Sequence, residues 1–155
     1  MFKKLLEVIS SKKGSKTEQI DSNIIFASLL VRAARIDNEY SDVEKQQIDF
    51  ILKEKFLVPT AKAQEIRTHA EEFEQDIVDT VQITKKIKKY IPFEERQALA
   101  EDLWSIILAD STRSEDENSF MRTCIKLIGV NDVDSAIARR AVIDKIKKKQ
   151  SLNLL

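Results

Sequence analysis

The sequence predicts an all-α protein, a single-domain helical bundle of about seven to eight helices. Glycine and proline are scarce, with two of each in 155 residues, whereas β-hairpins and β-sandwiches need turn residues every few positions. The chain is rich in Ala, Leu, Ile, Glu, Lys and Gln, which favour helix. A chain of this length buries roughly 70% of its unfolded surface, so the core requires neither a disulfide nor a metal for stability.

Apolar residues recur at spacings of three and four, and this pattern places the individual helices. The predicted helices are 2–10, 22–36, 42–56, 61–74, 76–90, 93–109, 115–128 and 133–149. Helix 22–36 is apolar around most of its circumference, which predicts a central position in the core. Helix 93–109 resembles it in its C-terminal half, and we expect the two to pack against each other as a central pair.

Capping residues and breakers support these boundaries. Pro59 and Pro92 interrupt the helical pattern, and Thr60 is a favourable N-cap for the helix that follows it. Gly129 is a favourable C′ residue for helix 115–128. The apolar faces are predicted to include Val43 of helix 42–56, and Val133 and Ile137 of helix 133–149.

The chain is predicted to have three parts, an N-terminal helix with a polar linker (residues 1–19), the helical domain (20–150) and a C-terminal tail (151–155). Residues 10–17 are polar and read as the linker. The N-terminal helix is amphipathic, and we favour its packing on the bundle. The alternative is a peripheral contact of residues 2–16 with an anionic membrane, aided by five lysines.

The charge and the cysteine content indicate which partners and which cellular compartment to expect. The 26 basic and 26 acidic side chains give a formal charge of zero, so we expect no nucleic-acid partner. Basic clusters in 1–16, 85–89 and 139–149 are typical of solvated helix faces or tails. The single cysteine, Cys124, fits a reducing compartment. With neither a signal peptide nor an apolar run of about 18 residues, the sequence predicts a cytoplasmic protein.

Two short acidic segments read almost as copies of each other. One runs from Asp37 to Glu44 and the other from Asp110 to Glu117, and both follow the pattern D-x-x-x-S-x-x-E after an apolar helical run. Their offset is 73 residues (110 − 37). This spacing predicts an internal duplication with approximate two-fold symmetry, in which the second and third predicted helices match the sixth and seventh.

Carboxylates at matching corners of two helix-loop-helix units are suited to a hard divalent cation such as Ca²⁺ or Mg²⁺. The predicted ligands are Asp37, Glu44, Asp110 and Glu117. The alternative is structural, because Ser41 and Ser114 precede the glutamates by three residues, as in a capping box. Acidic residues also interact favourably with the dipole at a helix start. The segments are not EF-hand loops, since they lack the central glycine and the distant glutamate.

An apolar helix followed by Asp, a short turn, and then Ser and Glu opening the next helix, repeated later in the chain, resembles the tellurite-resistance TerB family. Residues 33–44 and 108–117 carry the resemblance, which covers residues 20–135, and Leu127-Ile128-Gly129-Val130 adds to it. The resemblance implies a pseudo-symmetric helical bundle, a role in resistance to tellurite and other stresses, and divalent metal at the matching acidic positions. The family often has Gly directly after the Asp, where this chain has Asn38 and Ser111.

Other reactive residues give no enzymatic pattern. His69 has no suitably spaced nitrogen or sulfur ligands for zinc, and Cys124 has no recognisable histidine partner. The sequence contains no Gly-rich phosphate loop, G-x-S-x-G or H-E-x-x-H. We therefore predict a non-enzymatic, divalent-metal-binding module that acts in a stress response through partner proteins. The alternatives are a metal-free protein-interaction module, whose acidic loops are helix caps, and a metal-dependent hydrolase.

Overall fold

Seven α-helices and one 3₁₀ helix make up the part of the chain that the structure describes. The computed structural model covers residues 15–36, 39–76, 79–109 and 115–153, with side chains between residues 22 and 152. The helices are α1 (Ser15–Arg35), α2 (Asp42–Phe56), α3 (Thr60–Asp76), α4 (Thr80–Tyr90), the 3₁₀ helix Phe93–Glu95, α5 (Arg96–Ile107), α6 (Glu115–Leu127) and α7 (Asp132–Asn153). No strand occurs within these ranges, so the predicted all-α, single-domain bundle is confirmed. The predicted N-terminal helix 2–10 lies outside the described residues.

Helix α1 is the central element of the bundle. Every residue from Ile24 to Val31 is buried, as are Ala33 and Ala34. The one polar residue in this run, Ser28, donates its hydroxyl to the carbonyl oxygen of Ile25 at 2.7 Å, which satisfies it inside the helix. Helix α1 contacts each helix from α2 to α6, and its contact with α5 confirms the predicted packing of the two apolar helices.

Positions 73 residues apart have similar environments in the two halves of the bundle. Leu30 and Leu103 are both fully buried, and so are Ala27 and Ala100. The offset of 73 residues between the acidic segments thus also relates positions that are buried in the core. The descent of the two halves from a repeat stays a prediction.

Several helices begin elsewhere than periodicity predicts, α1 and α3 among them. Helix α1 starts at Ser15, so residues 15–17 of the predicted linker are helical. These residues are polar, so the periodicity of apolar residues gives no sign that they are helical. Their helix propensities are nevertheless only slightly unfavourable. Helix α3 starts at Thr60, with the Ala63 N–H donating to the Pro59 carbonyl oxygen at 3.0 Å. Thr60 is thus the first helical residue, and the prediction that it is the N-cap is wrong.

Helix α4 is shorter than predicted, because it begins at Thr80. Its N-cap is Asp79, whose carboxylate accepts from the Gln82 N–H at 2.9 Å. Helix 93–109 is likewise divided, into the 3₁₀ turn and α5. Both differences arise because local capping and turn geometry determine where a helix begins. The spacing of apolar residues contains no information about these caps and turns.

Gly129 ends α6 as predicted. Its φ is +83°, its N–H donates to the Lys126 carbonyl oxygen at 3.0 Å, and the Val130 N–H donates to the Ile125 carbonyl oxygen at 3.0 Å. This pair of bonds is the Schellman arrangement, in which glycine adopts a left-handed conformation without steric cost. A Cβ at this position would lie 3.2 Å from Nη1 of Arg96, so both the conformation and the space favour glycine.

The predicted apolar positions Val43, Val133 and Ile137 are wrong as core positions, because their side chains are exposed. The buried residues of helix α7 are Ser135, Ala138 and Val142, of which the apolar pattern predicts Val142. Contacts with α5 fix this face, since Trp104 Nε1 donates to Ser135 Oγ at 3.2 Å and the Gln97 amide donates to the Asp134 carbonyl oxygen at 2.8 Å. Polar contacts with α5 therefore turn α7 away from the face that its apolar residues suggest.

Candidate functional site

The first acidic corner connects the end of α1 to the start of α2. Ser41 is the N-cap of α2, with an extended backbone (φ −81°, ψ 163°). Its Oγ accepts from the Glu44 N–H at 3.2 Å, and its own N–H donates to Glu44 Oε1 at 3.0 Å. The predicted capping box is therefore confirmed at this corner.

Glu44 is a buried carboxylate, with only 1% of its surface exposed. Burial of a charged group is costly unless hydrogen bonds or opposite charges compensate. The Ser41 backbone N–H provides one such bond and the Ser41 hydroxyl, 3.1 Å from Oε1, provides another. The side chain thus faces the corner with its orientation fixed by the residue that starts the helix.

The second acidic corner leads into α6. Glu115 and Asp116 are exposed in the first turn of α6, whereas Glu117 is buried to the same extent as Glu44, with 1% exposed. Both predicted glutamates thus lie in the first turn of a helix that contacts α1. The other two predicted ligands, Asp37 and Asp110, lie outside the described residues, as does Ser114 with its predicted capping box.

The four predicted ligands are therefore not all placed by the structure. In the described ranges, no three His, Cys, Asp or Glu side chains are grouped so that they could hold a metal ion. That search does not include Asp37 or Asp110, and the metal site stays a prediction.

Tyr40 anchors the first corner to the neighbouring helices. Its hydroxyl donates to Glu71 Oε2 at 2.5 Å, and Arg67 donates to the same carboxylate oxygen at 2.8 Å. Arg67 also donates through Nε to Asp49 of α2 at 2.6 Å. Burial and the Glu71 carboxylate raise the pKa of Tyr40 above its ordinary value, so the phenol remains a donor at neutral pH. The loop 39–41 is thereby held against α3.

A second group of charges joins the end of α1 to α3. The Glu74 carboxylate accepts from Arg32 Nε at 3.1 Å and from Arg35 Nη1 at 2.6 Å. The Arg35 guanidinium also lies 5.0 Å from the centre of the Tyr40 ring, a cation–π contact. The end of α1 is therefore joined to α3 by ion pairs next to the first corner.

Sequence reasoning missed this charge network, although one signal was present. Ala63, Ile66, Ala70 and Glu74 form the buried stripe of α3. A glutamate that continues an apolar stripe must find a buried cation or hydrogen-bond donors. The arginines that meet it occupy α1, a distance along the chain that a local pattern does not reveal.

Three further residues, Cys124, His69 and Trp104, differ in how far they are buried. Cys124 is a free, buried thiol, and its burial raises its pKa to about 12. His69 is half-buried on α3. Trp104 is half-buried too, with its ring 5.6 Å from the Arg139 guanidinium carbon.

The fold and the corners together define an α-helical module in which buried glutamates open two helices. The family model described as "Tellurite resistance protein TerB" matches residues 23–140. The match covers well over half of the chain and includes both acidic corners, so the protein belongs to the TerB family. No curated protein and no solved structure matches the chain.

The family match confirms the resemblance that residues 33–44 and 108–117 indicate. It relates the chain to tellurite resistance at the level of the family. A separate finding concerns the membrane, since none of the described helices is long and apolar enough to cross one.

Proposed function

We propose that the protein is a non-enzymatic, divalent-cation-binding helical module that acts in a tellurite or stress response through partner proteins. The cation is a hard ion such as Ca²⁺ or Mg²⁺, and its ligands include Asp37 and Glu44 at the first corner and Asp110 and Glu117 at the second. Hard cations prefer oxygen ligands, and carboxylates from a loop and from the following helix can converge on one ion.

The observation that supports the proposal best is the burial of Glu44 and Glu117, which have 1% of their surface exposed at positions 73 residues apart. Most acidic residues in the first turn of a helix remain in water, as Asp42 and Glu115 do. A buried glutamate at each corner is a carboxylate shielded from water at matching positions of the two motifs, which is the kind of ligand that a hard cation requires.

In this proposal the cation fixes the angle between the helices on either side of a corner. At the first corner the α1 side is already held on α3 by Glu74, and the loop is held by Tyr40 and Glu71. A cation that joins Asp37 to Glu44 would then set the direction of α2. The free energy of cation binding would then be coupled to the position of α2.

A partner surface is available on α2. Val43, Phe50 and Leu57 follow one another at seven-residue intervals, and all three are exposed. Seven residues are close to two helical turns, so Val43 and Phe50 form an apolar stripe on the outer face of α2, and Leu57 is the exposed C-cap just beyond its end. Apolar stripes of this kind are suited to a groove-binding or helical partner. The cation at the first corner would control the presentation of this stripe.

Calorimetric titration of the full chain with Ca²⁺ and with Mg²⁺ tests the cation site. The proposal expects saturable heat, and it expects Asp37→Asn to abolish binding at the first corner. Asp132→Asn is the matched control, because Asp132 is an exposed carboxylate in the first turn of α7, outside both corners. Equal loss in the two variants would overturn the assignment, and so would absence of heat from the wild type.

A second candidate function is a metal-free protein-interaction module. It is favoured by the Ser41–Glu44 capping box, whose hydrogen bonds are complete between protein atoms alone. On this account the α2 stripe would bind its partner equally well in EDTA and in Ca²⁺. An assay of tellurite resistance with Phe50→Asp tests the stripe under both accounts, because Phe50 is exposed and its replacement leaves the core unchanged.

A further inference from the structure

The outer face of α4 is a dense and uniformly basic surface. Lys85, Lys86, Lys88 and Lys89 are all exposed, and α4 contains no acidic residue. The opposite face of the helix is in the core, through Ile83, Thr84 and Ile87. At 3.6 residues per turn, the four lysines spread over about 160° of the helix circumference, on the side opposite the buried residues.

No ion pair within the described residues neutralises these charges. None of the four lysines forms an ion pair with a residue that the structure describes. Asp79, at the start of α4, is occupied in capping the helix. Glu94 and Glu95, in the 3₁₀ turn after the helix, are exposed and make no ion pair with the lysines. Lysine ammonium groups so close together repel one another, which favours a partner that supplies negative charge.

The residues beside the lysines have the chemistry of a membrane interface. Val81 is exposed at one margin of the basic face. Tyr90 is half-buried at the other margin, with the Lys89 ammonium 5.2 Å from the centre of its ring. Tyrosine is enriched at the headgroup level of membranes, and lysine can extend its charge toward headgroups while its stem rests on apolar surface.

We propose that the outer face of α4, formed by Lys85, Lys86, Lys88 and Lys89, is a peripheral docking surface for an anionic lipid bilayer. This function is independent of the acidic corners and of the proposed cation. Each lysine near an anionic membrane surface increases the affinity by about fivefold. The attraction acts through the headgroups and requires no helix to enter the bilayer.

The character of the surface favours a bilayer over other anionic partners. The charges are all lysines, compact point charges without the planar fork with which arginine recognises a particular carboxylate or phosphate. They lie on a convex helix face, which suits an extended charged plane better than a groove-shaped site. Residues 1–16 of the chain carry five lysines and one glutamate, so this segment lacks the charge to cover the face itself.

The test is sedimentation of the full-length protein with vesicles of phosphatidylcholine, alone or with 30% phosphatidylglycerol, at low and at moderate salt. The test variant replaces the four α4 lysines with glutamine. The matched control replaces Lys145, Lys147, Lys148 and Lys149 of α7, which are also exposed and change the net charge by the same amount. Circular dichroism establishes that both variants are folded. A parallel arm measures binding of a short DNA duplex.

The proposal expects salt-sensitive binding to the anionic vesicles only, a loss of tenfold or more in the α4 variant, and a smaller loss in the α7 variant. Equal losses in the two variants would overturn it, because net charge and not the α4 face would then control binding. Failure of the wild type to bind anionic vesicles would overturn it as well. If DNA binding depends on the α4 lysines while vesicle binding does not, the face serves nucleic acid and the proposal is wrong.

Discussion

Ser41 and Glu44 hold each other in a reciprocal pair of hydrogen bonds. The Ser41 N–H donates to Glu44 Oε1 at 3.0 Å, and the Glu44 N–H donates to Ser41 Oγ at 3.2 Å. One residue of the pair is the predicted cap and the other is a predicted metal ligand. The structural and functional interpretations of the corner therefore involve the same carboxylate.

Ser41→Ala should reduce the free energy of unfolding by about 1 kcal/mol, the usual cost of removing a hydroxyl N-cap. The reason is that the Glu44 N–H loses its acceptor and the Glu44 carboxylate loses one of its donors. Urea denaturation measures the change. Thr68→Ala is the control, because the Thr68 hydroxyl only donates to the Gln64 carbonyl oxygen on an exposed helix face, and it should shift stability by less than about 0.5 kcal/mol. Similar losses in the two variants would argue against the cap.

Glu74→Gln should cost about 2 to 3 kcal/mol in unfolding free energy, below the range for a fully buried pair. The substitution keeps the shape of the side chain but leaves Arg32 and Arg35 without their shared counter-charge, and the Arg32 side chain is only 13% exposed. Chemical denaturation at neutral pH gives the value. Glu65→Gln is the control, because it removes an exposed ion pair in which Lys62 Nζ lies 3.6 Å from Glu65 Oε2. It should change the free energy of unfolding by less than about 0.5 kcal/mol. A Glu74 variant as stable as the Glu65 variant would contradict the network.

Leu57→Gly should stabilise the protein by about 0.5 to 1 kcal/mol. Leu57 follows α2 with a φ of 52°, a left-handed conformation that costs a leucine energy but not a glycine. Its side chain is 88% exposed, so little packing is lost. Thermal and urea unfolding should both show the gain, while Leu57→Ala, which keeps the Cβ, should change little. A glycine variant less stable than the alanine variant would show that the exposed leucine contributes more than its backbone costs.

Stability should fall at alkaline pH partly through Cys124. Burial raises the pKa of this thiol from 9.0 to about 12, so the folded state retains a proton that the unfolded state releases. The contribution is fully present below about pH 9 and is lost as the pH rises toward 12. Between about pH 8 and pH 10.5, the urea midpoint of the wild type should fall further than that of Cys124→Ala. Parallel curves would mean that the thiol titrates normally in the folded protein. The raised pKa of Tyr40 acts in the same direction in both proteins and cancels in the comparison.

Much of the fold follows from the sequence because burial imposes a period on it. The scarcity of glycine and proline disfavours hairpins, and the run from Ile24 to Ala34 is apolar around most of a helix, which predicts the central position that α1 occupies. Gly129 marks the end of α6 because only a residue without a Cβ adopts its φ at no cost. Such signals depend on residues that are close in the chain, so they can be recognised in the sequence without knowledge of the tertiary structure.

The errors concern features that depend on tertiary contacts. Val133 and Ile137 have the spacing of a core face, but hydrogen bonds from Gln97 and Trp104 turn a different face of α7 inward. The ion pairs of Glu74 join helices that are distant in the chain, and periodicity carries no information about them. At the first corner, by contrast, the motif predicts the Ser41–Glu44 contact, because its partners are three residues apart.

The most direct test of the central claim, a divalent cation at the acidic corners, is the melting temperature as a function of free Ca²⁺, Mg²⁺, Mn²⁺ and Zn²⁺. The test compares the wild type with the double variant Asp37→Asn, Asp110→Asn. The account predicts a saturable onset followed by stabilisation of about 1.4 kcal/mol for each tenfold rise of the selected cation above its dissociation constant, and loss of that response in the double variant. No response to any cation, or the same response in both proteins, would contradict it and leave the corners as helix caps.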